Sequence, residues 1–212
     1  MAGERLDIRT ILEASPLMAV VVIEEAKQAP ELARALMQGG VVSIEVTLRT
    51  PQALEAIRRI AGEVPDALIG AGTVLTPRDL EASAAAGARF AVSPGATTDL
   101  LEAGRQGPIP YLPAVATASE IMEGLVCGYS AFKAFPASVI GGPAALRAFH
   151  GPFPEVRFCP TGGITAATAG DYLALPNVVC VGGSWLTPAA ALREGDWAAV
   201  QALAKQAMAA LR

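Results

Sequence analysis

A single histidine, His150, is all that 212 residues contain, and no Cys-x-x-Cys or Asp/Glu/His cluster with ligand spacing accompanies it. A protein-built metal centre is therefore not expected. Lysine is almost as scarce, limited to Lys27, Lys133 and Lys205, and no Lys/Arg cluster exceeds the pair Arg58-Arg59. With a net charge of −4, the chain lacks the basic stripe that nucleic acid or anionic lipid requires, so neither is an expected partner. Long apolar runs are missing as well. The densest, Leu17 to Ile23, falls far short of the roughly 20 residues of a membrane-spanning helix. The start, Met1 to Arg9, mixes charges and has no apolar h-region, so no secretory signal is expected. Only three cysteines occur, Cys127, Cys159 and Cys180, each in or beside an apolar run. That fits reduced, buried thiols and a cytoplasmic location better than a disulfide frame.

Apolar residues are abundant, at 52% against 17% charged, which excludes a disordered chain. The length suits a single domain spanning 1–212. Short β-branched apolar runs recur along it and read as eight strands: Met18–Ile23, Val42–Thr47, Leu68–Ala71, Phe90–Ser93, Tyr111–Pro113, Ala131–Phe135, Arg157–Pro160 and Val178–Val181. Amphipathic stretches follow them near Pro30–Gln38, Pro51–Ala61, Pro77–Ala86, Thr98–Arg105, Ser119–Leu125, Pro143–Phe149, Ala166–Leu173 and Asp196–Leu211, with a leading helix near Ile8–Ala14. Thr50-Pro51, Thr76-Pro77 and Thr187-Pro188 read as capped helix starts, and Gly39-Gly40, Gly62, Gly87 and Gly128 as helix ends.

Eight βα units at about 26 residues each are tight but feasible for a parallel barrel. The expected fold is thus α/β, an eight-stranded parallel βα-barrel (TIM barrel) with an extra N-terminal helix. An open doubly wound sheet is the alternative, but the Gly-rich dinucleotide turn is missing, since Ile23 leads into Glu-Glu-Ala-Lys.

Chemistry concentrates at a few positions. From Val42 to Arg49, apolar Val42, Ile44, Val46 and Leu48 alternate with Ser43, Glu45, Thr47 and Arg49. If the apolar set faces the helices, Glu45 and Arg49 point inward, with Arg49 at the C-terminal mouth. A solvated strand face is the other reading, for which a parallel barrel leaves little room. Lys27 and Lys205 have ready explanations as surface charges, whereas Lys133 stands mid-run in Tyr129-Ser-Ala-Phe-Lys-Ala-Phe-Pro136. A lysine kept from water tends toward the neutral, nucleophilic amine; a lysine snorkelling from a strand end is the competing account. Amine, carboxylate and guanidinium together are the parts for carbonyl chemistry through a Schiff base. Two Gly-Gly pairs, Gly162-Gly163 before a helix from Thr165 and Gly182-Gly183 before Ser184, read as turns at strand ends, where backbone N–H groups and a helix dipole suit a phosphate. Thr73 closes the third strand, where substrate contact and a turn role are both open. His150 reads as a turn residue, the cysteines and Trp185 and Trp197 as packing.

Gly70-Ala-Gly-Thr-Val-Leu75, Ser93-Pro-Gly95, Phe132-Lys-Ala-Phe-Pro-Ala137, Arg157-Phe-Cys-Pro-Thr-Gly-Gly-Ile164 and Val181-Gly-Gly-Ser-Trp-Leu186 resemble the 2-keto-3-deoxy-6-phosphogluconate (KDPG) aldolases of the Entner–Doudoroff pathway, some of which also act on 2-keto-4-hydroxyglutarate. The likeness runs over essentially the whole chain. It implies a class I aldolase on a βα-barrel, without metal or other cofactor and commonly homotrimeric. It places the Schiff-base lysine at Lys133 and the acid/base glutamate at Glu45. It assigns the pyruvyl end to Arg49 and Thr73, the phosphate to Gly162, Gly163, Gly183 and Ser184, and stereochemical preference to Thr161. Departures fall at Ala114, where the family often has glycine and the extra methyl would narrow the loop after the fifth strand, and at Ala134, often aromatic.

The implied reaction is reversible cleavage of KDPG, a phosphorylated keto acid, to pyruvate and glyceraldehyde 3-phosphate. A related keto acid aldolase acting on hydroxyglutarate or the galactonate-derived epimer is an alternative. So are a phosphate-binding barrel isomerase or transferase without imine chemistry, and a silent barrel that only binds a sugar phosphate.

Overall fold

A computed structural model describes residues 7–211; the rest of the opening segment read above, Met1 to Leu6, lies outside the described residues. Helix α1 (Ile8–Glu13) leads into β1 (Leu17–Val21), a short 3-10 turn (Ala26–Gln28) and α2 (Ala29–Gln38). Then come β2 (Ser43–Thr47), α3 (Ala53–Glu63), β3 (Leu68–Gly72), α4 (Pro77–Ala85), β4 (Phe90–Val92) and α5 (Thr98–Gln106). The second half runs β5 (Tyr111–Leu112), β6 (Ala114–Val115), α6 (Ala118–Val126), β7 (Ala131–Ala134), α7 (Gly142–His150) and β8 (Arg157–Pro160). It ends with α8 (Ala169–Leu173), β9 (Val181–Gly183), α9 (Ala189–Glu194) and α10 (Trp197–Ala210).

All ladders are parallel and the strands form a curled α/β sheet. One sheet runs β5-β4-β3-β2-β1-β9 and a second β6-β7-β8. The expected fifth strand, Tyr111–Pro113, is two short ladders flanking Pro113, because proline has no N–H to place in a ladder. Tyr111 and Leu112 pair with β4, while Ala114 and Val115 pair with β7. Between β8 and β9 the contact is reduced to isolated parallel bridges, Phe158 to Val178 and Thr161 to Gly182.

Alternation along the strands sorts the core into two layers. Ile44 and Val46 of β2 and Ile69 and Ala71 of β3 join the large apolar cluster beneath the helices. The opposite parity faces inward, where Met18, Phe90, Val92, Leu112, Ala131, Cys159 and Cys180 pack together. Helix α1, capped by the Asp7 side chain, delivers Ile11 and Leu12 into this inner cluster, and Ser43 Oγ donates to the Ile11 carbonyl at 3.2 Å. The leading helix thus fills the strands' N-terminal end, which leaves the C-terminal end as the open one.

Several expected boundaries move. The last strand begins at Val181 rather than Val178 and includes Gly182 and Gly183, which pair with Met18 and Ala19. Gly62 does not end α3 but lies inside it. Of the three Thr-Pro starts only Thr76-Pro77 is capped, through a capping box in which Thr76 and Asp79 satisfy each other's backbone N–H groups. Thr50 instead donates its hydroxyl to the Ile23 carbonyl at 2.6 Å, and α3 starts behind Gln52. Thr187 donates to Ser184 O, and α9 has no side-chain cap. His150 is the last residue of α7, not a turn residue. Among the described residues no helix is long and apolar enough to cross a membrane.

Thr76→Ala removes the acceptor for Asp79 N–H and lowers unfolding free energy by about 1 kcal/mol. Thr76→Ser retains it. Urea denaturation of the two variants checks this; equal losses would mean that the hydroxyl is not what matters.

Candidate active site

Lys133 sits in the middle of β7, in register with Ala114 on one side and Cys159 on the other. Glu45 sits in the middle of β2, in register with Val20 and Gly70. β2 belongs to the six-stranded sheet and β7 to the three-stranded one, so the lysine reaches from one sheet to the other. Its Nζ donates to Glu45 Oε1 at 3.1 Å and to Oε2 at 3.4 Å. Both side chains are out of water, at 6% and 2% relative exposure, and form a direct ion pair. Phe135 places its ring 5.1 Å from Nζ, a cation–π contact that adds to the cage.

Space for the pair is made by glycine. A methyl group on Gly72 would lie 2.1 Å from Glu45 Oε1, and one on Gly70 would lie 2.4 Å from the Phe90 ring. Both glycines share the inward parity of β3, so the Gly-Ala-Gly sequence gives up side-chain volume on the one face where the carboxylate and Phe90 must fit. On the β9 side, Cys180 lies in the inner cluster with Cys159. A hydrogen bond with Cys159, together with burial and the nearby Glu45 charge, pushes the Cys180 thiol well above its ordinary range. It remains protonated and is a packing group, not a nucleophile.

Arg49 departs from expectation in one respect. The strand ends at Thr47, so Arg49 lies beyond the ladder in an exposed turn. Its Nε donates to Thr73 Oγ1 at 3.3 Å, which joins the expected partners at the C-terminal ends of neighbouring strands. Thr73 has φ +58°, a left-handed conformation costly for a β-branched residue, on the order of 1–3 kcal/mol. Its neighbours hold it there: Leu48 N–H donates to Gly72 O and Val74 N–H to Val92 O.

The two glycine pairs are unlike. Gly162 and Gly163 form a true turn with φ of +99° and +73°. Gly182 and Gly183 are strand residues, and their missing side chains accommodate Thr161 and the Trp185 ring. No helix starts directly behind either pair, because Thr165 to Thr168 form a turn before the five-residue α8, and α9 begins only after Pro188. Thr161 is 6% exposed, and among the described residues its Oγ1 has no hydrogen-bond partner. Ser184 is exposed and lines a cleft of about 810 Å³ with Val20, Val22 and Arg193, which neither Lys133 nor Glu45 lines. Ala114 belongs to the β6 ladder beside Lys133, not to a loop it could narrow, and Ala134 packs in the outer core.

Gly72 and Phe135 are site residues that reasoning from the sequence did not single out. Gly72 carried a signal in the Gly70-Ala71-Gly72 spacing, which leaves one face of its strand without side chains at both glycines. Phe135 carried none.

Residues 8–203 match the family model for KDPG and KHG aldolases. A 2-dehydro-3-deoxy-phosphogluconate aldolase of Dickeya dadantii is 53% identical over 209 residues, covering 99% of this chain and 98% of its own. The KHG/KDPG aldolase of Escherichia coli K12 is 50% identical, with 98% of each chain covered. The crystal structure of a Legionella pneumophila KDPG aldolase, in which pyruvate was captured at low pH as a covalent carbinolamine intermediate, superposes with a TM-score of 0.94 at 48% identity, covering 96% of this chain and 98% of that one. With a buried lysine–glutamate pair at the centre of a curled parallel sheet, and matches of this extent, the chain belongs to the KDPG/KHG aldolase family.

Proposed function

We propose that this protein is a class I aldolase that reversibly cleaves 2-keto-3-deoxy-6-phosphogluconate to pyruvate and glyceraldehyde 3-phosphate. The observation that carries the reading is the contact between Lys133 Nζ and the Glu45 carboxylate inside the strands. Lys133 passes a proton to Glu45 and attacks the C2 ketone as the neutral amine, and proton return expels water to leave a protonated imine. Glu45 then takes the C4 hydroxyl proton. The C3–C4 bond breaks, its electron pair flows into the iminium to form an enamine, and the aldehyde departs. Protonation at C3 and hydrolysis release pyruvate and restore the amine. The iminium is the electron sink, so the carbanion is stabilised by a group the protein itself supplies.

Arg49 and Thr73, already joined by a hydrogen bond, hold the substrate carboxylate. The phosphate lies on Gly162, Gly163, Gly183 and Ser184, brought together by the bridge between Thr161 and Gly182. The unpartnered Thr161 hydroxyl meets the substrate near the carbinol carbon. Binding at both ends holds the reacting bond over the amine.

The wider reading is one domain whose strands close as an eight-stranded barrel, with α1 as its extra N-terminal helix. Closure is supported by the bridges between β8 and β9 and by the reach of Lys133 across the interior. A cytoplasmic location is supported by three cysteines that are all free thiols. A homotrimer is supported by the family likeness and by an apolar stripe on α6, where Met122, Leu125 and Val126 are 58%, 38% and 86% exposed.

Borohydride reduction with pyruvate should add one adduct, on Lys133. Peptide mass mapping that finds it on Lys27 or Lys205, or on no lysine, would overturn the assignment of Lys133. Glu45→Gln should lower turnover roughly 10²-fold or more as the acid/base is lost. Gly72→Ala, which displaces that carboxylate, should lower it by roughly the same factor. Unchanged pyruvate release from either variant would take Glu45 out of the mechanism. Light scattering on the purified protein should give the mass of three chains, and a monomer would end the trimer reading.

A further inference from the structure

The Gly162-Gly163 turn is not a free-standing loop. The chain leaving β7 runs over it, with Ala137 N–H donating to Thr161 O at 2.8 Å and Ser138 N–H donating to Gly162 O at 3.1 Å. These bonds bring the Ser138 side chain directly against Gly163. A methyl group built on Gly163 would lie 1.9 Å from Ser138 Oγ and 2.7 Å from Ser138 Cβ, so the serine occupies the volume that any other residue at 163 would fill. Gly163 is thus required twice, by its φ of +73° and by the serine above it.

Ser138 is exposed, and among the described residues its hydroxyl has no hydrogen-bond partner. A hydroxyl can donate to an anion without bringing charge of its own. Here it faces the same small volume as the backbone of a glycine turn whose two residues are both left-handed. Consecutive backbone N–H groups in such turns form concavities suited to anions. The backbone N–H groups of Ala137 and Ser138 are already used in holding the loop down, so the hydroxyl is what this segment has left to offer a ligand.

We propose that Ser138 is a specificity-determining residue that donates its hydroxyl to the distal phosphate of the substrate bound on the Gly162-Gly163 turn. The inference rests on the aldolase reading and adds to it a residue outside the glycine motifs. Ser138 lies five residues after Lys133 on the same chain segment, so the loop that follows the reactive amine also reads the far end of the substrate.

Steady-state pyruvate release by the purified full-length protein tests it, with 2-keto-3-deoxy-6-phosphogluconate and its unphosphorylated counterpart as paired substrates. Ser138→Ala should raise KM for the phosphorylated substrate roughly ten-fold, the scale of one hydrogen bond to a charged group, with kcat within about two-fold of wild type. KM for the unphosphorylated substrate should not change, and Ser138→Thr should restore the phosphorylated one. Ser138→Glu should weaken the phosphorylated substrate further by placing a negative charge beside the phosphate. If wild type prefers the phosphorylated substrate and Ser138→Ala keeps that preference in full, the role of Ser138 is overturned while the aldolase reading stands. Equal KM increases for both substrates would make Ser138 a loop-packing residue and overturn it as well. If wild type releases no pyruvate from either compound, the aldolase reading falls and this inference with it.

Discussion

A charged pair held out of water is the constraint to which the rest of this structure answers. Lys133 and Glu45 are each costly to bury alone, and each is tolerable because the other is at hydrogen-bond distance. Such a pair adds little net stability compared with apolar groups of the same volume, and removing one partner leaves an uncompensated charge that destabilises by about 3–5 kcal/mol. Its presence in the middle of two strands is explained by what it can do. An amine beside a carboxylate, with water excluded, can exchange protons and attack a carbonyl without leaving its place.

Neighbouring features follow from housing that pair. The lysine has the length to reach from one sheet to the other, and the strand beside the carboxylate is stripped to glycine at Gly72. Below, thiols and apolar side chains fill the interior, and α1 closes the end with Ile11 and Leu12. Above, polar groups collect at strand ends: Arg49 with Thr73 on one side, Thr161 with the glycine turn on another. Apolar closure at one end and polar, partly unpaired groups at the other leave a single direction from which a keto acid can approach.

Glycine serves three separate purposes that look alike as letters. Gly163 needs a left-handed backbone, Gly72 yields volume to a carboxylate, and Gly182 yields volume to the Thr161 hydroxyl from within an extended strand. The same holds for Thr-Pro, where Thr76 caps a helix but Thr50 turns its hydroxyl back to the Ile23 carbonyl. Local preference offers a conformation, and the position of the next element decides whether it is taken.

Much of the protein was legible in the chain itself. The recurrence of apolar runs with amphipathic stretches, the alternation around Glu45 and the isolation of Lys133 in an apolar run all depend on period and polarity, which are properties of sequence. Contacts between distant segments are of another kind. That Lys133 meets Glu45 across 88 residues, that Arg49 finds Thr73, that Gly182 and Gly183 pair in a strand, and that Ser138 lies on Gly163 depend on register and on which chain passes over which. Only the folded chain decides those, because a side chain's local neighbours specify the face it occupies but not what stands opposite it.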